Sequence, residues 1–446
     1  MANDKAKKPT ITNRAKLSTD PYKGVRDFFP ADMAVENAIF GIWRSVSERY
    51  GYQEYAASVL EPADLYRAKS GEEIVNEQTY TFTDRGDREV TLRPEMTPTV
   101  ARMVAARRRE LVFPLRWFSI PNLFRYEQPQ RGRVREHWQL NVDIFGVESI
   151  QAEIEVINIA YDITRAYGLK DADFEVRLNN RKIVNYVMHD VLGLNEETTH
   201  KLAKLIDRKS KMPIETFEAT VKELIGDESS EFLTMLDSQN FEEFVSRMPP
   251  TDEENEGFRE IREVMAGLER LGITNVRFDQ TLMRGFDYYT GIVFEVFDLN
   301  PANRRSVFGG GRYDDLLALF GNDKVPAVGF GAGDVVARDL METYKCLPAT
   351  RAPADLGLIV AGEESAPFAL DIAQSLRSQG VRVSVDLTFK KIGDQMSKAS
   401  KNGLPYIAVI GDKEVSGSII TVKKLADGSE KAFSAEAVKE IAAHIK

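Results

Sequence analysis

Residues able to do chemistry concentrate in two short stretches. The first is 122–146 (NLFRYEQPQRGRVREHWQLNVDIFG). Its two ends alternate like strands, and its middle, Gln128–Arg135, is a Pro/Gly turn carrying Arg131, Arg133 and Arg135. Strand side chains alternate with period two. Trp138, Leu140, Val142 and Ile144 therefore point one way, and Gln139, Asn141 and Asp143 share the other face. Two amides and a carboxylate in line suit a compact cationic or amino-bearing ligand. The same pattern also suits a solvated outer face of an antiparallel sheet. Arg125, on the strand before the turn, and the turn arginines suit a polyphosphate, because guanidinium groups pair bidentately with phosphate oxygens. A surface salt-bridge network is the competing account.

The second stretch is 282–295 (LMRGFDYYTGIVFE). Arg284 precedes a glycine, and Asp287 precedes Tyr288 and Tyr289 at the start of a strand. Adjacent strand tyrosines face opposite ways, so one could line a pocket while the other packs; two core aromatics beside a surface arginine is the competing account. The glycine-rich pieces 309–312 and 329–333 lack the Gly-Lys-Ser/Thr ending of a phosphate loop and the strand–turn–helix setting of a dinucleotide fingerprint. Taken alone they are turns or close backbone approaches.

The elements that must hold these residues divide the 446-residue chain in two. A helical stripe (Ile39, Ile42, Trp43, Val46, Tyr50) marks a helix over 34–50. Strands are expected at 89–95, 115–127, 136–145 and 288–297. Few helices intervene, which predicts an antiparallel sheet. Residues 190–270 turn charged and helical, with Phe258, Ile261, Met265 and Leu268 on one face and a Pro- and acid-rich connector at 248–255, so they read as an insertion. Residues 346–354 (CLPATRAPA) read as a linker. Beyond it, strands at 355–361, 381–387 and 405–411 alternate with helices at 364–380, 389–403 and 435–445. That alternation predicts a small three-layer α/β domain with a largely parallel sheet.

Composition removes several function classes. One cysteine and four histidines exclude a disulfide framework and a Cys/His zinc cluster. No apolar run is long enough to span a membrane, so no membrane association is expected. The net charge of −10 argues against a protein basic all over, but not against a local nucleic-acid surface. Residues 1–20 are polar and lack the apolar core of a signal peptide. They read as a flexible arm, with cytoplasmic location the default.

Together these segments resemble the class II aminoacyl-tRNA synthetases and, within that class, the histidyl-tRNA synthetase family, from about Tyr22 to Ile445. The resemblance implies an α+β class II core, an antiparallel sheet flanked by helices, over 21–345. The core would carry a helical insertion at about 190–270, and an α/β anticodon-binding domain would follow at 355–446. Arg125-Tyr126-Glu127 is similar to the opening of motif 2, whose arginine contacts the ATP α-phosphate and the substrate carboxylate and whose glutamate reads the adenine amino group. Leu92–Thr97 is similar to the segment whose Glu95 and Thr97 would hold the histidine amino group, with Met96 where glycine is usual. Gln139 and Asp143 match positions that grip the amino acid. Arg284–Tyr289 is similar to the histidine-specific motif, in which the arginine replaces a metal ion at the α-phosphate and Tyr288 and Tyr289 line the imidazole pocket. Gly310–Leu316 resembles the glycine-rich piece that accompanies it.

The resemblance further implies Arg133 or Arg135 at the outgoing pyrophosphate and His137 as a stacking partner for adenine. It implies Lys390, Lys391, Gln395 and Lys398 as anticodon contacts, and Lys201, Lys204, Arg208, Lys209 and Lys211 of the insertion facing the acceptor arm. ATP and Mg2+, tRNA-His and a homodimer come with it, and no metal-binding residue is assigned. Two departures stand out. Val336 takes the place of the motif 3 arginine, with Arg338 two residues late, and Ser58 stands where motif 1 carries proline. The implied activity is histidine–tRNA ligation. The first alternative is a catalytically inactive, histidine-binding, synthetase-like regulatory subunit of histidine biosynthesis. A class II synthetase for another amino acid is the second.

Overall fold

The computed structural model describes residues 17–67, 78–130, 132–209, 212–249, 255–283, 288–303, 305–321, 323–349 and 351–446. Arg131, Lys211, Arg284 and Asp287, and the arm expected over 1–20 apart from residues 17–20, lie outside them. The chain divides into two compact units, 1–348 and 349–446.

In the first unit the strands are β1 (Gln53–Glu54), β2 (Leu60–Pro62), β3 (Tyr80–Thr83), β4 (Glu89–Leu92), β5 (Leu115–Ser119), β6 (Asn122–Phe124), β7 (Glu136–Phe145), β8 (Phe174–Asn180), β9 (Val276–Phe278), β10 (Ile292–Asp298), β11 (Ser306–Arg312) and β12 (Ala327–Gly333). Nine of them form one sheet in the order β1-β5-β7-β12-β11-β10-β8-β9, with β6 on β7, and β2-β4-β3 form a small separate sheet. The six central strands pair antiparallel, as expected, and only the edge pairs β1–β5 and β8–β9 are parallel. The alternation in β7 holds throughout. Leu140, Val142 and Ile144 are at most 1% exposed and sit in the main core with Ile39, Trp43 and Ile157.

Differences from expectation have local causes. The helix begins at Pro30 rather than 34, because proline is pre-set for a first helical turn. The strand expected over 115–127 breaks into β5 and β6 at Pro121, which has no N–H for the ladder; its carbonyl accepts from Gln139 N at 3.0 Å. The insertion leaves the sheet between β8 and β9. Its residues Phe217, Val221 and Phe232 join the main core, and helix Glu256–Arg270 crosses so close to helix Gln151–Ala166 that a Cβ on Gly267 would collide with Ile154.

The second unit has strands β13 (Leu356–Val360), β14 (Val383–Asp386), β15 (Tyr406–Ile410), β16 (Ile419–Lys424) and β17 (Glu430–Ser434), in the order β14-β13-β15-β16-β17. The first three are parallel and were expected. The antiparallel hairpin β16–β17 was not, so the sheet is mixed rather than largely parallel. Its sequence signal was present: an Asp427-Gly428 turn, with Gly428 at φ +74°, between alternating segments. Among the described residues no helix is long and apolar enough to cross a membrane.

Candidate active site

The polar face of β7 is not solvated. With the facing glycines of β12 it forms the floor of a cavity of about 130 Å³, lined by Glu95, Thr97, Arg125, Gln139, Asn141, Asp143, Tyr288, Tyr289 and Tyr313, and by Gly309, Gly329, Phe330 and Gly331. Gly329 pairs with Asp143 and Gly331 with Asn141. A Cβ at Gly329 would strike the Asp143 carboxylate, and one at Gly331 would lie 2.7 Å from Gln139 Nε2. These are the close backbone approaches that the glycine spacing allowed.

Asp143 is 4% exposed, and the Tyr313 hydroxyl donates to its Oδ1. Burial pushes its carboxyl up to about 7, against the opposing pull of that hydrogen bond. Burial therefore disfavours the charged carboxylate in the cleft. An entering cation would relieve it. Glu95 is buried beside it, its Oε2 accepting from Tyr288 Oη at 3.4 Å and its carbonyl from Tyr66 Oη at 3.3 Å. Both tyrosines of 288–289 line the cavity, as the family resemblance implied and as strand alternation alone did not. They precede β10 in a turn, where period-two alternation does not apply.

The strand–turn–strand arm sorts its arginines. Arg125 lines the cavity, its Nε held by Pro94 O at 2.9 Å. Arg93, a residue sequence reasoning passed over, is 5% exposed and ties three chain segments together through Ala57 O (2.7 Å), Ser58 O (3.2 Å) and Asn122 O (3.0 Å). Arg135 is not placed at the cavity. Its guanidinium lies 3.9 Å from the Tyr126 ring, and it donates to Glu127 O (3.1 Å) and Tyr22 Oη (3.1 Å), so it braces the arm against the N-terminal segment. Arg133 is exposed, 3.6 Å from Glu127 Oε2. His137 follows the same β7 face as Gln139. Burial, with the charges of Arg125 and Arg26, holds its ring well below the usual histidine range at about 3, so it is neutral at pH 7. Met96 is 1% exposed and does not line the cavity.

At the motif 3 end, Val336 packs against the core. Arg338 does not replace the arginine absent there: it is held by Asp32 (3.2 Å), Glu342 (3.0 Å) and Glu36 (3.7 Å). In the second unit Lys390 and Lys391 are exposed, and Lys398 pairs with Asp386 at 3.2 Å. Gln395 departs from its assignment as an RNA contact. It is 2% exposed, and its amide is occupied by Val360 N, Val360 O and Lys390 O. Among the described residues no group of three or more His, Cys, Asp or Glu could hold a metal ion. The sequence reading also missed Tyr313 as a site residue. Its signal was its place just after the glycine-rich strand β11, in register to reach Asp143.

An antiparallel sheet with this cleft, joined to a smaller α/β unit, is the architecture of a class II aminoacyl-tRNA synthetase. The fold matches a histidyl-tRNA synthetase structure from Nostoc sp. PCC 7120 (TM-score 0.81, 22% identity, covering 96% of this chain and 100% of that one). It also matches a structure from Bacillus halodurans titled as an ATP phosphoribosyltransferase regulatory subunit/histidyl-tRNA synthetase (TM-score 0.72, 26% identity, 85% and 96% covered). The family model for histidyl-tRNA synthetase matches residues 24–333, and that for an anticodon binding domain matches 355–444. Proteins called histidine–tRNA ligase are 41% identical in Leptospira biflexa (96% of this chain, 98% of that protein) and 37% identical in Thermoplasma volcanium (93% and 96%). The chain belongs to the histidyl-tRNA synthetase family.

Proposed function

We propose that this chain activates histidine with ATP and transfers the histidyl group to the 3′ end of tRNA-His. The observation that carries the reading is the cleft itself. Carboxylates of Asp143 and Glu95, the Gln139 amide and the phenols of Tyr288 and Tyr289 converge on a space of amino-acid size, with Arg125 at its edge.

In the first step a histidine carboxylate oxygen attacks the α-phosphorus. The bond from that phosphorus to the bridging oxygen breaks, and pyrophosphate leaves with the electron pair. The attacking carboxylate is already ionised at pH 7, so no general base is needed. Catalysis is positioning and charge stabilisation. Arg125 neutralises the α-phosphate, and Arg284 is assigned the same task by its motif. Asp143, Glu95, Thr97 and Gln139 hold the amino acid, and the two tyrosines select its ring. Glu127 and His137 take the adenine. Arg133, the exposed arginine of the turn, remains the candidate for the outgoing pyrophosphate; Arg135, braced elsewhere, supports the arm. Mg2+ would arrive with the nucleotide's phosphates, in keeping with its preference for phosphate oxygens and water over a protein cage. In the second step the terminal ribose hydroxyl of tRNA attacks the histidyl carbonyl and displaces AMP. Residues 355–446 serve as the anticodon-binding domain, through Lys390, Lys391 and Lys398. A cytoplasmic homodimer of 21–345 catalytic units is part of the same proposal.

Val336 favours a second reading, a histidine-binding regulatory subunit without adenylate chemistry. ATP–pyrophosphate exchange with each of the twenty amino acids separates the two. Exchange with histidine alone supports the ligase. Histidine binding without exchange supports the regulator, and exchange with a different amino acid refutes both.

A further inference from the structure

We propose that Tyr55 is a positioning residue of the amino-acid site: its hydroxyl, backed by Ser119, donates to the Asp143 carboxylate when a cationic substrate is bound. This deepens the histidine-binding part of the reading above and rests on it.

Strand register places Tyr55 there. β5 pairs with β7 so that Trp117 lies opposite Asp143 and Ser119 opposite Asn141, and directly paired residues point to the same face. Trp117 and Ser119 therefore stand on the cleft side of the sheet, one strand further out than the floor. β1 pairs with β5 through Gln53–Trp117 and Glu54–Phe118, and Tyr55 N continues that ladder to Phe118 O at 2.8 Å. Tyr55 thus falls beside Ser119, on the same side. Its ring packs on the Trp117 ring (centroids 5.6 Å apart), which carries the hydroxyl toward the Asp143 row.

The electrostatics agree with the register. Burial, and after it the Asp143 carboxylate, push the Tyr55 hydroxyl well above its ordinary range, with Ser119 and Arg93 pulling the other way. Burial raises the Tyr313 hydroxyl as well, and both Asp143 and Tyr55 add to that rise. Two phenols converge on one carboxyl, and only Tyr313 donates to it in the free protein. Tyr55 Oη and Ser119 Oγ are both buried, and neither makes a hydrogen bond among the described residues. The other ionisable groups lining the cleft with Asp143 are Glu95, Arg125, Tyr288 and Tyr289. Tyr52, in the main core, is taken by Glu155 at 3.0 Å.

The count of donors and acceptors gives Tyr55 its task. A protonated carboxyl carries its own donor, whereas an ionised one is acceptor-only and has room for two phenols and a substrate cation. With a cation in the cleft the carboxylate is the favoured form, and its second phenol partner is Tyr55. The Ser119 hydroxyl then donates to the Tyr55 oxygen, so the chain of hydroxyls polarises toward Asp143. A buried hydroxyl that lacks a partner in the free protein gains one on binding, which adds to affinity rather than to stability.

The test compares Tyr55→Phe, Ser119→Ala and the double variant with the unmodified protein at pH 7. The readouts are calorimetric titration of histidine, kcat and KM values in pyrophosphate exchange, and urea midpoints. Tyr55→Phe should weaken histidine about tenfold or more, the loss expected for a hydrogen bond to a charged group, while the KM for ATP stays within about twofold. Its urea midpoint should not fall, because the hydroxyl removed has no partner in the free protein. Ser119→Ala, acting only through Tyr55, should lose about two- to fivefold, and the double variant should bind histidine no worse than Tyr55→Phe alone. Unchanged histidine binding in Tyr55→Phe overturns the inference. So do losses from the two single variants that add in the double variant. A lowered urea midpoint with histidine and ATP weakened together, the pattern of a merely structural tyrosine, overturns it too. Histidine binding without exchange in the unmodified protein refutes the ligase reading alone, since the titrations still decide the role of Tyr55.

Discussion

Removing the Tyr313 hydroxyl tests the amino-acid site most directly. Burial pushes the Asp143 carboxyl up to about 7, and the Tyr313 hydrogen bond holds it from rising further. A hydrogen bond to a charged group contributes about 1.5–3 kcal/mol, or about 1–2 pKa units. In Tyr313→Phe the carboxyl should therefore titrate at about 8–9. Only the ionised form attracts a cationic group of the substrate. At pH 7 the ionised fraction then falls from about half to between about 1 and 10%, and the KM for histidine rises about five- to fiftyfold. By pH 9 the two proteins should agree within about twofold. The assay is pyrophosphate exchange from pH 7 to 9, read as the ratio of mutant to unmodified KM, so that the titration of free histidine cancels. A penalty constant with pH would mean that Tyr313 positions rather than tunes Asp143. No penalty at all would mean that Asp143 does not bind the substrate. Either result refutes the reasoning.

Three further expectations follow from the same geometry. Because the raised Asp143 pKa makes ionisation costly only in the folded state, its destabilising effect is absent below about pH 4 and complete above about pH 7. Asp143→Asn should accordingly be more stable than the unmodified protein at pH 8, indistinguishable at pH 4, and unable to bind histidine; urea unfolding at both pH values checks this. Arg93→Met leaves the carbonyls of Ala57, Ser58 and Asn122 without their donor and should cost about 3 kcal/mol or more, measured as a lower urea midpoint. Residues 349–446, expressed alone, should unfold cooperatively. The Arg382 guanidinium holds Asp355 down at about 2, so that stabilisation is present above about pH 4 and lost as pH falls toward 2. Asp355→Asn should flatten that part of the acid-unfolding curve.

Sequence periodicity alone settled which face of β7 is which, since a pleated strand leaves no choice once Leu140, Val142 and Ile144 are apolar. The family resemblance, and not spacing by itself, singled out Glu95, Thr97, Arg125, Gln139, Asp143, Tyr288 and Tyr289, and all of these line one cleft. Burial was not legible. A polar face reads the same whether water or the chain covers it, and only the pairing of β7 with β12 turned Gln139, Asn141 and Asp143 inward. The division of labour among Arg93, Arg125, Arg133 and Arg135 was equally hidden, because one side-chain type serves phosphate, carbonyl and aromatic partners alike. Gln395 shows the same limit, its amide being satisfied by backbone that only folding brings near. Local pattern thus fixed element type, side-chain phase and the chemical inventory of this chain. Tertiary structure decided which groups lose water and which neighbours they meet, because desolvation and pairing depend on segments distant in sequence: Tyr313 on Asp143 across 170 residues, and Arg26 on Asp334 across 308.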